Sequence, residues 1–113
     1  MEITEYHEGP ILVLSLKGRL DHAGAEVFQK KAVGHIESGV RSIVVDFGET
    51  DFVASLGIRA LIIPTQDMSR AGGRIALVRL SEQVRQLFEV AGLYSVFKVY
   101  PTLADAATDG VWA

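Results

Sequence analysis

Asp46-Phe47-Gly48-Glu49-Thr50-Asp51-Phe52-Val53-Ala54-Ser55-Leu56-Gly57-Ile58-Arg59-Ala60-Leu61 joins two periodicities, and the change from one to the other decides the fold. Upstream, Ser42-Ile43-Val44-Val45 is an apolar, β-branched run suited to a buried strand, and downstream of Ser55 the apolar residues recur at helical spacing. Gly48 to Asp51 between them reads as an acidic turn. Ser55 then falls where a helix N-cap is expected, with its hydroxyl placed to accept a hydrogen bond from a first-turn amide. A strand that delivers one hydroxyl to a helix start leaves three roles open for Ser55: a cap, a phosphoryl acceptor or a nucleophile.

Working outward, Gly9-Pro10 separates two strand-like runs, Ile3 to His7 and Ile11 to Leu16, and predicts an antiparallel hairpin. The second run continues into Gly18-Arg19-Leu20-Asp21. Ala25, Phe28, Ala32 and Ile36 then mark the buried face of a helix, and Gly39 stands at its C-terminal cap. The helix after Ser55 is closed by Gly72-Gly73 and followed by a strand, Arg74 to Val78. Pro64 removes the bond from its own nitrogen to the Ala60 carbonyl, which predicts a bend. Ser81 caps a third helix with Val84, Leu87, Phe88 and Ala91 on its apolar face, and Gly92 ends it. Val96 to Tyr100 alternates as a last strand, and Thr102 with Asp105 opens a short terminal helix through a capping-box-like pair. Helices alternating with apolar strands require crossover connections. The expected fold is therefore α/β: one domain over residues 1–113, with a small, mixed, mostly parallel sheet, an N-terminal hairpin and four flanking helices.

The 113 residues, 49% hydrophobic and 22% charged, suffice for one core. A net charge of -3 without a clustered Lys/Arg stripe argues against nucleic acid as a direct partner. No cysteine is present, which removes disulfides, thiolate metal sites and thiol nucleophiles. The acidic start, Met1-Glu2-Ile3-Thr4-Glu5, is not a secretory signal, and the longest apolar runs are far below the roughly 20 residues needed to span a bilayer. A cytoplasmic location without membrane insertion is the expectation.

Of the three roles, catalysis fits worst. Val53-Ala54-Ser55-Leu56-Gly57 half matches the G-x-S-x-G elbow, but Val53 replaces the first glycine and all three histidines, His7, His22 and His35, precede Ser55. The histidines have no metal-ligand spacing, and neither a phosphate loop nor a dinucleotide fingerprint occurs. No cofactor is expected, and a phosphoryl donor has to be held by a partner. Asp46 could serve as the acceptor of a phosphoaspartate receiver, but the acidic pair for Mg²⁺ is missing, so it reads as a solvated strand-end residue. Capping and phosphoryl acceptance at Ser55 both remain. A phosphate there adds roughly -1.5 to -2 charges beside Asp21, Asp46, Glu49 and Asp51 if these loops converge.

Gly18-Arg19-Leu20-Asp21-His22 and the helix after it, Ile43-Val44-Val45-Asp46-Phe47, Asp51 to Arg59, and Val84-Arg85-Gln86-Leu87-Phe88-Glu89-Val90-Ala91-Gly92-Leu93 together resemble the STAS-domain anti-sigma factor antagonists over nearly the whole chain. The resemblance implies a non-enzymatic regulator that works by partner switching. Unmodified, such a protein binds an anti-sigma factor that is usually a serine kinase; phosphorylation on the serine of the turn releases it, and a PP2C-type phosphatase reverses the change. By position Ser55 corresponds to the acceptor and Asp21 to the acidic residue of the first turn. Leu56, Gly57, Ile58, Arg59 and Ile62 would form the partner-binding face with them. Many family members carry Asp or Ser before the acceptor and Ser or Ala after it, where this chain has Ala54 and Leu56. A second reading follows from that difference: a constitutive scaffold or accessory subunit of a transporter, lipid-trafficking or stressosome-type assembly, in which Ser55 is not phosphorylated.

Overall fold

The computed structural model describes residues 1–109. In chain order the elements are β1 (Glu2–Glu8), β2 (Ile11–Leu20), α1 (His22–Glu37), β3 (Ser42–Val53), α2 (Ser55–Arg70), β4 (Arg74–Val78), α3 (Glu82–Val90), a 3-10 turn (Leu93–Ser95), β5 (Lys98–Tyr100) and α4 (Leu103–Thr108). The strands form one five-stranded sheet in the order β1-β2-β3-β4-β5. The β1–β2 pair is the antiparallel hairpin expected from Gly9-Pro10, and every later pair is parallel.

Alternation along the strands separates two apolar layers. Leu12, Leu14, Leu16 and Leu20 of β2, Ile43, Val45, Phe47 and Val53 of β3, and Ile75 and Leu77 of β4 face one way. They pack against Ala25, Phe28, Ala32 and Ile36 of α1, Ala60, Leu61 and Met68 of α2, and Val84 and Phe88 of α3. One-way winding of consecutive parallel strands through right-handed crossovers puts all three helices on that side. Ile11, Val13, Val44, Ala76 and Val78 face the other way and meet Leu103 and Ala106 of α4. Phe88 packs against Phe97, at 5.7 Å between ring centroids, and against exposed Tyr94, at 6.2 Å and edge-on.

Three expectations need correction. The acidic segment Gly48 to Asp51 is not a turn: it continues β3, which stays paired with β2 as far as Leu20↔Val53 through two irregular steps. The reason is Thr50, which is buried and donates its hydroxyl to the Leu16 carbonyl at 3.0 Å, so this polar stretch is tied to the neighbouring strand. The last strand is shorter than Val96 to Tyr100, because Leu93–Ser95 closes a 3-10 turn whose Leu93 carbonyl accepts from both Val96 and Phe97. Ala91, expected on the buried face of the third helix, is instead its exposed C-terminal cap.

The capping assignments at Ser81 and Thr102 hold, each hydroxyl accepting from the amide three residues on. α2 runs unbroken through Pro64, which is buried.

Gly57 and Gly34 test the packing in opposite directions. A Cβ at Gly57 would come within 2.5 Å of the Leu20 carbonyl oxygen and 2.9 Å of its side chain, whereas at Gly34, on the exposed face of α1, it meets nothing within 4 Å. Gly57→Ala is expected to lower stability by about 1–3 kcal/mol, and Gly34→Ala to raise it by about 0.5–1 kcal/mol, both read by urea denaturation.

Candidate functional site

The ends of β2 and β3 lie side by side, and from them two helices start next to each other. Leu20 pairs with Val53, and the Ala54 amide, one residue on, donates to the Leu20 carbonyl at 3.0 Å. Gly57 in the first turn of α2 rests on that same Leu20. Asp21 follows Leu20 immediately and caps α1, its Oδ1 accepting from the Gly24 amide at 3.0 Å. That backbone hydrogen bond holds the Asp21 carboxyl below its ordinary value, with smaller contributions from Arg19 and the chain's amino group. The sequence-predicted residues Asp21 and Ser55 are thus brought to one end of the sheet.

Ser55 is not the cap of α2. Ala54 occupies that position, with extended backbone (φ -84°, ψ 167°), and no side chain caps the helix. The first helical bond runs from the Ile58 amide to the Ala54 carbonyl at 3.1 Å, so Ser55 is already helical, one residue too late for its hydroxyl to turn back on the first-turn amides. Ser55 is exposed, and its hydroxyl has no hydrogen-bond partner among the described residues. Among the described residues no carboxylate or imidazole holds it as a base would hold a nucleophile.

The remaining predicted residues divide by burial. Leu56 is 47% exposed and Arg59 is exposed; Ile58 and Ile62 are half-buried against the core; Gly57 is buried and offers only backbone. Leu56, Arg59 and Ile63 face His22, Ala25 and Gln29 of α1 across a groove of about 130 Å³. Two residues that the sequence reading left out also stand here. Phe52 is 39% exposed, and the Arg19 guanidinium lies 4.0 Å over its ring centroid. Their signal was present in the register, since Arg19 and Phe52 sit one step before Leu20 and Val53 and alternation puts both on the opposite face of the sheet.

Asp46, read as a solvated strand-end residue, is instead 6% exposed and bound through both oxygens by Arg79, at 2.9 and 3.0 Å. It therefore does not join Asp21 beside Ser55, and Glu49 lies 3.9 Å from Lys17. No group of three His, Cys, Asp or Glu side chains able to hold a metal ion occurs among the described residues, and no helix there is long and apolar enough to cross a membrane.

A profile of the STAS domain matches residues 2–106. The chain belongs to the STAS domain family. Among its relatives, BtrV of Bordetella bronchiseptica is 28% identical over 107 residues, covering 95% of this chain and 92% of the relative. The anti-sigma F factor antagonist of Paenibacillus polymyxa is 24% identical over 106 residues, covering 93% and 90%. The fold matches that of Bacillus SpoIIAA, an anti-sigma factor antagonist, in its unphosphorylated form, with a TM-score of 0.76 at 22% identity and 97% of each chain covered. The phosphorylated form of SpoIIAA matches with a TM-score of 0.73 at 23% identity, covering 93% of this STAS domain and 96% of that chain.

Two substitutions separate capping from exposure at this site. Ser55→Ala removes a hydroxyl without a partner and is expected to change stability by less than about 0.5 kcal/mol, against about 1 kcal/mol for the loss of a working cap, by urea denaturation. Asp21→Asn keeps a cap oxygen but removes the charge. Because the folded carboxyl titrates below its ordinary value of 3.8, the charge stabilises the fold above that pH, and the benefit fades as pH falls through the folded value. Wild type is therefore expected to melt above Asp21→Asn near about pH 7, with the two melting temperatures converging in acid below that ordinary value.

Proposed function

We propose that the protein is an anti-sigma factor antagonist of the partner-switching kind, a cytoplasmic regulatory binding protein and not an enzyme. The observation that carries this reading is the exposed, unbonded Ser55 hydroxyl on a helix start fixed to the neighbouring strand. The family membership and the names of the relatives support it.

In the unmodified state, Ser55, Leu56 and Arg59 with the edges of Ile58 and Ile62 meet an anti-sigma factor that is also a serine kinase, Gly57 letting α2 sit close to β2 beneath them. Asp21 borders the same surface. The kinase supplies the bound nucleotide and the base; this chain supplies an alcohol. A phosphate on Ser55 adds roughly -1.5 to -2 charges next to Leu56. Apolar area that the partner would bury then lies against a group that keeps its water, and the complex weakens. A PP2C-type phosphatase restores the binding form.

The switch changes charge more than shape, because a negative group is well tolerated in the first turn of a helix. Ser55→Asp is accordingly expected to fold as wild type. Immobilised unmodified protein should retain an ATP-binding serine kinase from native lysate, and the Ser55→Asp form should not. The recovered kinase with ATP should add one phosphate to wild type and none to Ser55→Ala, read by intact mass. Equal retention by both forms with no mass gain would instead support the constitutive scaffold.

A further inference from the structure

Toward the opposite edge of the sheet, the ends of β4 and β5 enclose a group of side chains that the proposed switch does not use. Arg79, directly after β4, is the one non-glycine residue with positive φ (+56°) among the described residues. Left-handed backbone is costly for a residue with a side chain, and such strain concentrates at functional positions. The turn directs the guanidinium back to β3, where Nε and Nη2 donate to the two oxygens of Asp46, which also accepts the Gly48 amide at 2.8 Å. Gly48 makes room for it: a Cβ there would come within 2.3 Å of Nη2. Asp46 holds the Arg79 pKa above its ordinary value, so the group is a fixed cation whose outer edge, Nη1 included, keeps free donors.

That edge borders a cavity of about 400 Å³, lined also by Leu80, Arg85, Tyr94, Val99 and Pro101, with Tyr100 completing the wall. Arg85 and the Tyr94 hydroxyl have no side-chain partner among the described residues. Glu82 and Glu89 line the neighbouring groove with Arg85 and Tyr94; among the described residues no carboxylate lines this one, although the Tyr100 hydroxyl donates to the Asp109 carboxylate. The cavity thus pairs N–H and O–H donors with an apolar wall of Leu80, Val99 and Pro101, and its volume lies within the range of roughly 300–1,000 Å³ typical of small-molecule sites. A rim that carries two guanidinium cations is complemented by an anionic ligand.

We propose that this cavity binds a small organic anion, with a carboxylate or phosphate between Arg79 and Arg85 and a ring-sized apolar body against Leu80, Val99 and Tyr94. The site stands apart from Ser55 and does not depend on the switch.

The test is an amide NMR titration of the full chain with phenylacetate, phenyl phosphate and inorganic phosphate. Expected are saturable shifts at Leu80, Arg85, Tyr94 and Val99 with one of the aromatic anions, while Ser55 stays in place, and at least about tenfold weaker binding in Arg85→Gln, whose exposed side chain can change without disturbing the fold. The tighter of the two aromatic probes identifies the anion. No saturable shift with either, undiminished affinity in Arg85→Gln, or inorganic phosphate binding as tightly as phenyl phosphate would overturn the proposal.

Discussion

The hydrogen bond from the Ala54 amide to the Leu20 carbonyl, with Gly57 packed on the same residue, fixes the end of the sheet from which α1 and α2 start. It joins the end of β2 to the start of α2 across the strand pair, so the chain leaves β3 in one direction only. Because Asp21 follows Leu20 directly, the same joint sets the start of α1. The two helix starts then share one surface, where Ser55 and Leu56 stand exposed while the residues beneath them, Leu20, Val53 and Ala60, belong to the core; Phe52, also exposed, lies on the opposite face of the sheet. A side chain at Gly57 would force these strands and helices apart, which is why glycine is needed at a helix position that otherwise disfavours it.

That construction suits a chemical switch. A hydroxyl engaged as a cap would have to break its bond before it could be modified, and the helix would lose about 1 kcal/mol. Ser55 carries no such bond, so in the proposed function modification costs the fold nothing and alters only the charge presented to a partner. Arg19 over Phe52 adds a cation and an aromatic face close to the same joint.

Most of the fold could be read from the sequence because its signals are local. Gly9-Pro10 announced the hairpin, and Ser81 and Thr102 announced their helices through hydroxyls that cap in the structure. Ser55 looked the same and is not a cap, because the choice between Ala54 and Ser55 depends on where β3 ends, and that is set by pairing with β2 and not by local composition. The same non-local pairing turned an apparent acidic turn into strand through Thr50 and Leu16. Asp46 was misread for a related reason: its partner Arg79 is 33 residues away, and only the parallel register of β3 and β4 brings them together. The resemblance singled out Ser55 and Asp21, and strand pairing is what brings them to one end of the sheet; Phe52 and Arg19, not singled out, follow from strand alternation.

The account's central claim is that the joint holds while the charge at Ser55 changes. The direct measurement is the amide NMR spectrum of the full chain carrying phosphoserine at position 55, compared with the unmodified protein. The account predicts shifts confined to Leu20–Gly24 and Phe52–Arg59, with the core amides of Val44, Leu77 and Phe88 unmoved. Shifts spreading through those core residues would show that phosphorylation rearranges the fold, and would contradict it.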